Sequence, residues 1–391
     1  MRLAERVNRI GGDGANAWSI HFAALAQVEA GRDVIVLTVG DPDQAPPELV
    51  IEETVRALRA HRTGYAPITG YPNVRAAIAA RVARRTGQPC TADNVVVVAG
   101  AQAGVYCAVQ CLAGPGDEVI VPEPVYATYA GVIAASGARM VNVPLRPENG
   151  FHPDVAALAD AITPRTRAIW INTPHNPTGS VLSHSEVAAI AELCRRHDLW
   201  LLSDEVYEDL TYERPHVSPW SLPGMAERTI VVSSLSKSHA MPGFRLGWIV
   251  APSILKQPLF DLLVCMLYGG PPFIQDGALA ALRQELPEVA AMRETYRSRA
   301  ALLTDILANA PRCHVTRPEG GMFVLLDVRG TQRSSRDFAT ALLEHEAVAV
   351  LPCDGFGPSA VGQLRISLTV PGVRLKEAGM RIVRFAEGLT G

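Results

Sequence analysis

One lysine in this chain is surrounded by residues that suit a covalent site for a phosphate-bearing aldehyde. Lys237 follows the β-branched run 229–232, which predicts a buried strand that ends just before it. Ser234 and Ser236 precede the lysine, and Arg245 follows it in a glycine-flanked segment. A lysine amine can form a Schiff base with an aldehyde, while hydroxyl groups and a guanidinium can bind the phosphate. The alternative for these residues alone is a solvated lysine and an ordinary surface arginine.

Three other motifs carry polar groups where predicted strands end. Residues 176–179 read Asn-Pro-Thr-Gly, and the amide of Asn176 can hydrogen-bond a phenolic oxygen. Residues 204–207 read Asp-Glu-Val-Tyr, and a buried Asp204 needs a partner such as a protonated pyridine nitrogen. Residues 100–102 read Gly-Ala-Gln and begin a predicted helix, whose first N–H groups attract phosphate. Each motif alone also fits a structural role, as a turn, a helix cap or salt bridge, or a strand-to-helix connection.

The elements that must position these groups alternate between strand and helix. Strands are predicted at residues 33–39, 95–98, 118–122, 140–143, 168–172, 199–203, 229–233 and 246–250, and one of the helices between them is predicted near 126–136. This alternation predicts a mainly parallel sheet, in which ligands bind beyond the carboxyl ends of the strands. We expect an N-terminal segment with part of a small domain over residues 1–45 and a large domain over 46–275. An interdomain helix and a C-terminal small domain are expected over 276–391.

The composition excludes several classes of protein. Of the 391 residues, 48% are hydrophobic and 19% are charged, which predicts a buried core and not a disordered chain. The net charge of −3 gives no argument for nucleic-acid binding, and no apolar run reaches the roughly 20 residues of a membrane span. The N-terminus lacks an apolar signal core, so we expect a cytoplasmic protein. Seven scattered cysteines without a Cys-x-x-Cys pair predict reduced thiols and no metal site.

Taken together, the motifs resemble the fold-type I, class I and II pyridoxal-phosphate aminotransferases from about residue 33 to the end of the chain. The resemblance implies an α/β fold of the PLP-dependent transferase type, with a mainly parallel central sheet in the large domain and a smaller α+β domain. It implies pyridoxal 5′-phosphate (PLP) as the cofactor, and an amino acid and a 2-oxo acid as substrates. The enzyme would be a homodimer, without a nucleic-acid or membrane partner.

The resemblance also implies roles for individual residues. Lys237 would form the Schiff base with the cofactor and then act as the catalytic base, and Asp204 would pair with the ring nitrogen. Tyr126 would stack on the ring, unless it only packs in the core, and Asn176 and Tyr207 would bond the 3′-oxygen. The phosphate would be bound by Gly100, Ala101, Gln102, Ser234, Ser236 and Arg245.

Further matches concern the substrate and the neighbouring subunit. Arg365 would clamp the substrate α-carboxylate as a bidentate pair, and Gly40 and Asn176 would contact the substrate as well. Tyr65 would reach the phosphate in the neighbouring subunit, which implies the homodimer. The chain departs from many relatives at Ala101, where they have glycine, but alanine still supplies an N–H.

A closer resemblance, to the arginine–pyruvate transaminase group, lies in stretches that cofactor binding does not need. These stretches are residues 12–21, 236–241, 265–269 and 273–276. They imply arginine or an arginine-derived guanidino amino acid as substrate, with a 2-oxo acid such as pyruvate. A buried guanidinium needs an acidic partner, and Asp13 and Asp276 are the candidates. The alternative is that these stretches only pack a dimer interface.

Other activities on the same scaffold remain as alternatives. A lyase, a decarboxylase, an oxidase, or an aminotransferase for aspartate or aromatic amino acids would need the same cofactor residues. A ligand-sensing regulator would need an additional DNA-binding domain, for which the residues before the first predicted strand leave no room. We therefore expect an aminotransferase that moves an α-amino group to or from a 2-oxo acid.

Overall fold

A computed structural model gives the fold and describes residues 2–11 and 18–389. The strands in chain order are β1 (Ile35–Val36), β2 (Val95–Val98), β3 (Glu118–Glu123), β4 (Arg139–Pro144), β5 (Thr166–Asn172), β6 (Trp200–Asp204), β7 (Thr229–Ser234), β8 (Gly247–Val250), β9 (His314–Thr316), β10 (Phe323–Asp327), β11 (Val348–Ala349), β12 (Leu351–Pro352) and β13 (Gln363–Ser367). The α-helices are α1 (Glu5–Ile10), α2 (Ser19–Glu29), α3 (Glu48–Arg59), α4 (Pro72–Thr86), α5 (Gly100–Leu112), α6 (Tyr129–Ser136), α7 (Val155–Asp160), α8 (His184–Arg196), α9 (Lys256–Met266), α10 (Pro272–Leu282), α11 (Pro287–Leu307), α12 (Ser335–Glu346) and α13 (Gly372–Gly388).

The central sheet has the strand order β2-β8-β7-β6-β5-β3-β4. Every pairing in it is parallel except the two that β8 makes. Valine occupies all of β2, and each of these valines is buried, as expected for a strand covered on both faces. Helices α5 and α6 pack on one face, and α4, α8 and α10 pack on the other. The predicted α/β fold with a mainly parallel sheet is confirmed.

The register of the parallel strands brings polar residues to one edge of the sheet. Asn172 at the end of β5 lies opposite Asp204 at the end of β6, and Asp204 lies opposite Val232 of β7. The chain leaves β7 at Ser234 and then reaches Lys237. Groups that are far apart in the sequence therefore meet beyond the carboxyl ends of β5, β6 and β7.

A second, antiparallel sheet has the order β12-β13-β10-β9. Both ends of the chain contribute to the structure beside it, because β1 pairs in parallel with β11 and residues 20–37 share a hydrophobic core with residues 292–385. Arg365 lies on β13, opposite Leu325 of β10 and Leu351 of β12. The domain boundaries at residues 45 and 275 stay predictions.

Two predicted elements differ in extent from those in the structure. The strand expected at 33–39 has only two paired residues, because it pairs with β11, which is equally short. The helix expected near 126–136 begins at Tyr129, so Tyr126 stays in the connection after β3. Within the described residues, none of the helices has the length and apolar content that a membrane-crossing segment needs.

Candidate active site

A pocket of about 230 Å³ lies at the edge where β5, β6 and β7 end. The predicted site residues that line it are Gly40, Ala101, Gln102, Tyr126, Asn176, Asp204, Tyr207, Ser234, Ser236, Lys237, Arg245 and Arg365. Gly100 lies at the first turn of α5 beside this pocket, and Tyr65 lies elsewhere on the surface. The structure thus brings together residues from seven separate stretches of the sequence.

Lys237 extends into this pocket from the connection after β7. Its Nζ donates a 2.6 Å hydrogen bond to the carbonyl oxygen of Gly40. Burial of the amine lowers the pKa of Lys237 to about 8; the carboxylate of Asp41 opposes this shift, and the guanidinium groups of Arg365 and Arg245 add to it. The neutral fraction at pH 7 to 8 is therefore larger than for a solvated lysine. A lysine whose pKa is lowered in this way can act as a nucleophile or as a base.

Asp204 is buried at the end of β6 and receives two hydrogen bonds. The hydroxyl of Tyr129 donates to Oδ2 at 2.7 Å, and the backbone N–H of Val206 donates to Oδ1 at 3.3 Å. Burial raises the pKa of Asp204 to about 6, and these hydrogen bonds oppose the increase. Among the described residues Asp204 has no ion-pair partner. A buried carboxylate in this state fits a cationic ring nitrogen.

Arg365 is a buried guanidinium at the opposite wall of the pocket, with 2% of its surface exposed. Its Nη1 donates to Oδ1 of Asn176 at 3.0 Å, and its Nη2 donates to the carbonyl oxygen of Thr38 at 2.7 Å. The guanidinium carbon lies 4.1 Å from the ring centre of Phe323. No carboxylate of the described chain forms an ion pair with this group, and burial lowers its pKa. An unpaired buried cation of this kind fits an anionic ligand.

The pocket reaches the start of α5, where the sequence predicts phosphate binding. Arg245 is held there by the carbonyl oxygens of Pro242 at 2.8 Å and Ala99 at 3.0 Å. Gly100 has a φ of +78°, and a Cβ there would lie 2.5 Å from Nη2 of Arg245. Glycine is therefore required at this position, whereas the backbone N–H of Ala101 remains available to an anion. The absence of the second glycine leaves this part of the pocket intact.

Two aromatic residues close the pocket around the polar groups. Tyr207 is buried and lines the pocket together with Asn176, and burial raises its pKa. Tyr126 lies 5.9 Å from the ring of Tyr129 in an edge-to-face arrangement. Tyr207 and Tyr126 are predicted site residues, whereas Tyr129 is not among the predictions. The one signal for Tyr129 in the sequence was its spacing of three residues from Tyr126.

Two of the predicted residues lie away from this pocket, and a third is outside the described residues. Tyr65 is 86% exposed and packs edge-to-face on Tyr268, with 5.2 Å between the ring centres. Asp276 is bound to the guanidinium of Arg62 and does not line the pocket, and its role as a partner for a substrate guanidinium stays a prediction. Asp13, the other candidate, lies outside the described residues.

The family model for aminotransferase class I and II matches residues 32–382. The chain belongs to this family. The predictions of family, fold class, enzyme class and cofactor are confirmed, since aminotransferases of this class depend on PLP. The roles of the individual residues stay predictions.

Relatives within the class I and II aminotransferases match along nearly their whole length. The chain is 50% identical over 391 residues to "Arginine--pyruvate transaminase AruH" of Pseudomonas aeruginosa, covering 100% of both chains. It is 36% identical over 359 residues to an aspartate aminotransferase of Pyrococcus horikoshii, covering 91% of this chain and 92% of that protein. The structure of Thermus thermophilus aspartate aminotransferase with maleate superimposes with a TM-score of 0.93 at 34% identity, covering 98% and 100% of the two chains.

The pocket of this aminotransferase fits PLP by the chemistry of its donor groups. The pocket is lined by Asp204, a buried carboxylate without an ion-pair partner among the described residues, and by Arg245 at the start of α5. Lys237, an amine with a lowered pKa, lines the same pocket. PLP carries a basic ring nitrogen, an aldehyde and a phosphate, so each of these three groups has a partner of matching chemistry.

Proposed function

We propose that this enzyme transfers the α-amino group of arginine, or of an arginine-derived guanidino amino acid, to a 2-oxo acid such as pyruvate. The observation that carries the proposal is the 50% identity, over the full length of both chains, to a protein named arginine–pyruvate transaminase. The aspartate aminotransferases compared above are less similar, at 34–36% identity. The substrate is therefore proposed from the relative with the higher identity.

The cofactor residues are proposed to act from both ends of the pocket. Asp204 would hold the ring nitrogen, and Asn176 and Tyr207 would hold the 3′-oxygen. Tyr126 would stack on the ring. The phosphate would be bound by Ser234, Ser236, Arg245 and the first residues of α5, Gly100, Ala101 and Gln102. When bound, PLP would supply the electron sink that allows a proton to leave the substrate Cα.

Lys237 would move that proton. Its Nζ would take it from Cα and deliver it to C4′ of the cofactor, acting as general base and then as general acid. The hydrogen bond from Nζ to the Gly40 carbonyl oxygen gives the amine a defined position before it reacts. A pKa of about 8 supports both roles, because protonated and neutral forms are both populated near neutral pH.

Arg365 would bind the α-carboxylate of either substrate. The hydrogen bonds from its Nη atoms to Asn176 and Thr38 fix the plane of the guanidinium, so that the orientation is set before the substrate enters. Gly40 and Asn176 are proposed to contact the substrate beside Arg365.

A homodimer is proposed from Tyr65. This side chain is exposed, as is its neighbour Tyr268, and a role in the partner's site would explain why an aromatic pair faces solvent. Light scattering of the holoenzyme would give the subunit number. A cytoplasmic location stays a prediction, in keeping with seven free cysteines.

The experiment that tests the proposed function is a panel of half-reactions. Purified holoenzyme is mixed with one amino acid at a time, and the conversion of the cofactor is followed by absorbance. Arginine is expected to react faster than aspartate, alanine or phenylalanine, and pyruvate is expected to restore the spectrum. Faster reaction of aspartate or an aromatic amino acid would contradict the guanidino substrate. Release of ammonia without amination of the cofactor would instead support a lyase or an oxidase.

A further inference from the structure

A second cleft, of about 870 Å³, lies beside the active-site pocket. Trp18 and Gln102 line both spaces, so the cleft and the pocket adjoin at these two side chains. Its lining includes apolar residues of α5 and α6, among them Tyr106 and Val132, and Ile10 at the end of α1. The loop of residues 354–358, which leads from β12 toward β13, lines it as well. This cleft can accommodate the distal part of a substrate side chain that extends beyond the active-site pocket.

Asp354 is the one charged residue among the described residues that line this cleft. The hydroxyl of Ser335, the first residue of α12, donates a hydrogen bond to Oδ2 of Asp354, and Ser335 is fully buried. The other carboxylate oxygen has no hydrogen-bond partner in the described chain. The hydrogen bond from Ser335 therefore fixes one carboxylate oxygen of Asp354, while the other oxygen remains available to a ligand.

The loop that carries Asp354 also contacts the proposed carboxylate clamp. Asp354 begins a short 3-10 turn that contains Phe356, and the ring centre of Phe356 lies 5.3 Å from the guanidinium carbon of Arg365. Trp18 packs against the same hydrophobic cluster as Phe356. An amino acid whose α-carboxylate is bound by Arg365 would thus extend past these two rings toward Asp354.

We propose that Asp354 binds the distal guanidinium of the substrate and selects long cationic amino acids. The proposal rests on the proposed function, because it needs an arginine-type substrate. A carboxylate and a guanidinium form strong charge-assisted hydrogen bonds, and aromatic rings beside the path attract the cation. The apolar wall suits the methylene groups of the side chain. Asp276, by comparison, is already bound to Arg62.

The test compares Asp354→Asn with the wild-type holoenzyme, using arginine and citrulline. Citrulline has almost the same shape as arginine but lacks the charge. We expect kcat/KM for arginine to fall at least about tenfold and kcat/KM for citrulline to change less than about threefold. The dissociation constant of 5-guanidinopentanoate, an arginine analogue without the α-amino group, should rise by a similar factor in calorimetry. Asp305→Asn, an exposed position on α11, should change none of these values.

A second variant, Ser335→Ala, tests the same proposal independently in case Asp354→Asn fails to fold. Ser335→Ala keeps the charge of Asp354 but removes the hydrogen bond that holds it, so the loss should be smaller and still selective for arginine. Equal losses for arginine and citrulline, or no loss in either variant, would overturn the assignment of Asp354 and leave the proposed function intact. Failure of the wild-type enzyme to use arginine would overturn both proposals.

Discussion

The hydroxyl of Tyr129 lies 2.7 Å from Oδ2 of Asp204 and donates a hydrogen bond to it in the interior of the protein. Tyr129 is itself fixed by stacking on Trp170, with 3.8 Å between the ring centres. This hydrogen bond stabilises the ionised form of Asp204, which burial destabilises. Tyr129 thus controls the charge and the orientation of Asp204, the proposed partner of the ring nitrogen.

Replacement of Tyr129 by phenylalanine should weaken cofactor binding. Without the hydroxyl, the pKa of Asp204 should rise above about 6, so a larger fraction of the carboxyl would be protonated near neutral pH. A charge-assisted hydrogen bond is worth about 1.5–3 kcal/mol, so the PLP dissociation constant should increase about tenfold or more. The measurement is fluorescence titration of apoenzyme with PLP between pH 5.5 and 8.

The matched control is Tyr212→Phe. The hydroxyl of Tyr212 also makes a 2.7 Å hydrogen bond, to the carbonyl oxygen of Gly321 in a partly buried position, but Tyr212 does not line the pocket. This variant should lose stability without a change in PLP affinity. Equal weakening of PLP binding in both variants would indicate a general loss of packing and contradict the role of Tyr129.

Replacement of Arg365 by lysine should reduce kcat/KM for every amino acid by more than about tenfold, which corresponds to over ~1.4 kcal/mol. Lysine keeps the positive charge, but it cannot donate to Asn176, Thr38 and a carboxylate from one fixed plane. PLP affinity should change much less, since the guanidinium is proposed to act on the substrate. Steady-state kinetics with Arg381→Lys, a partly buried position on α13 that does not line the pocket, provides the comparison. An unchanged kcat/KM would contradict the proposed role of Arg365 in binding the substrate α-carboxylate.

Most of the pocket could be predicted from the sequence because its residues follow successive parallel strands. Lys237 and Asp204 each come after an apolar run, and parallel strands bring such positions to one edge. Tyr129 could not be assigned in this way, since its contact with Asp204 joins residues that are 75 positions apart. Asp276 is one of two candidate substrate contacts, and no sequence pattern indicates its pairing with Arg62, 214 residues away, where α10 packs near the end of α3. Such pairings depend on tertiary packing, which local sequence patterns do not encode.

The covalent attachment of PLP should depend on pH with a midpoint near 8. Burial lowers the pKa of Lys237 to about 8, and only the neutral amine attacks an aldehyde. Attachment to the apoenzyme should accelerate between about pH 7 and 9 and level off above that range, as measured by borohydride reduction at timed intervals. Lys237→Ala should give no reduced adduct at any pH. An adduct on another lysine, or acceleration that continues to pH 10.5, would contradict this assignment.

His152 connects the large sheet region to the loop before β10. Its Nδ1 lies 2.8 Å from Oε1 of Glu186 on α8, and its Nε2 lies 3.2 Å from Oε2 of Glu319. Hydrogen bonds to Glu186 and Glu319 raise the pKa of His152 to about 9, although partial burial opposes this shift. The protonated ring thus bridges two carboxylates that lie far apart in the sequence.

Replacement of His152 by glutamine should lower stability in a pH-dependent way. A folded-state pKa above the unfolded value of about 6.5 means that the contribution is fully present below pH 6.5 and is lost as pH rises through about 9. We expect the variant to be less stable by about 1–3 kcal/mol at pH 6 and to match the wild-type enzyme near pH 10. Thermal unfolding of holoenzyme at pH 6, 8 and 10 measures the difference, with exposed His314→Gln as the control. A difference in Tm that does not change with pH would mean that His152 contributes by packing alone.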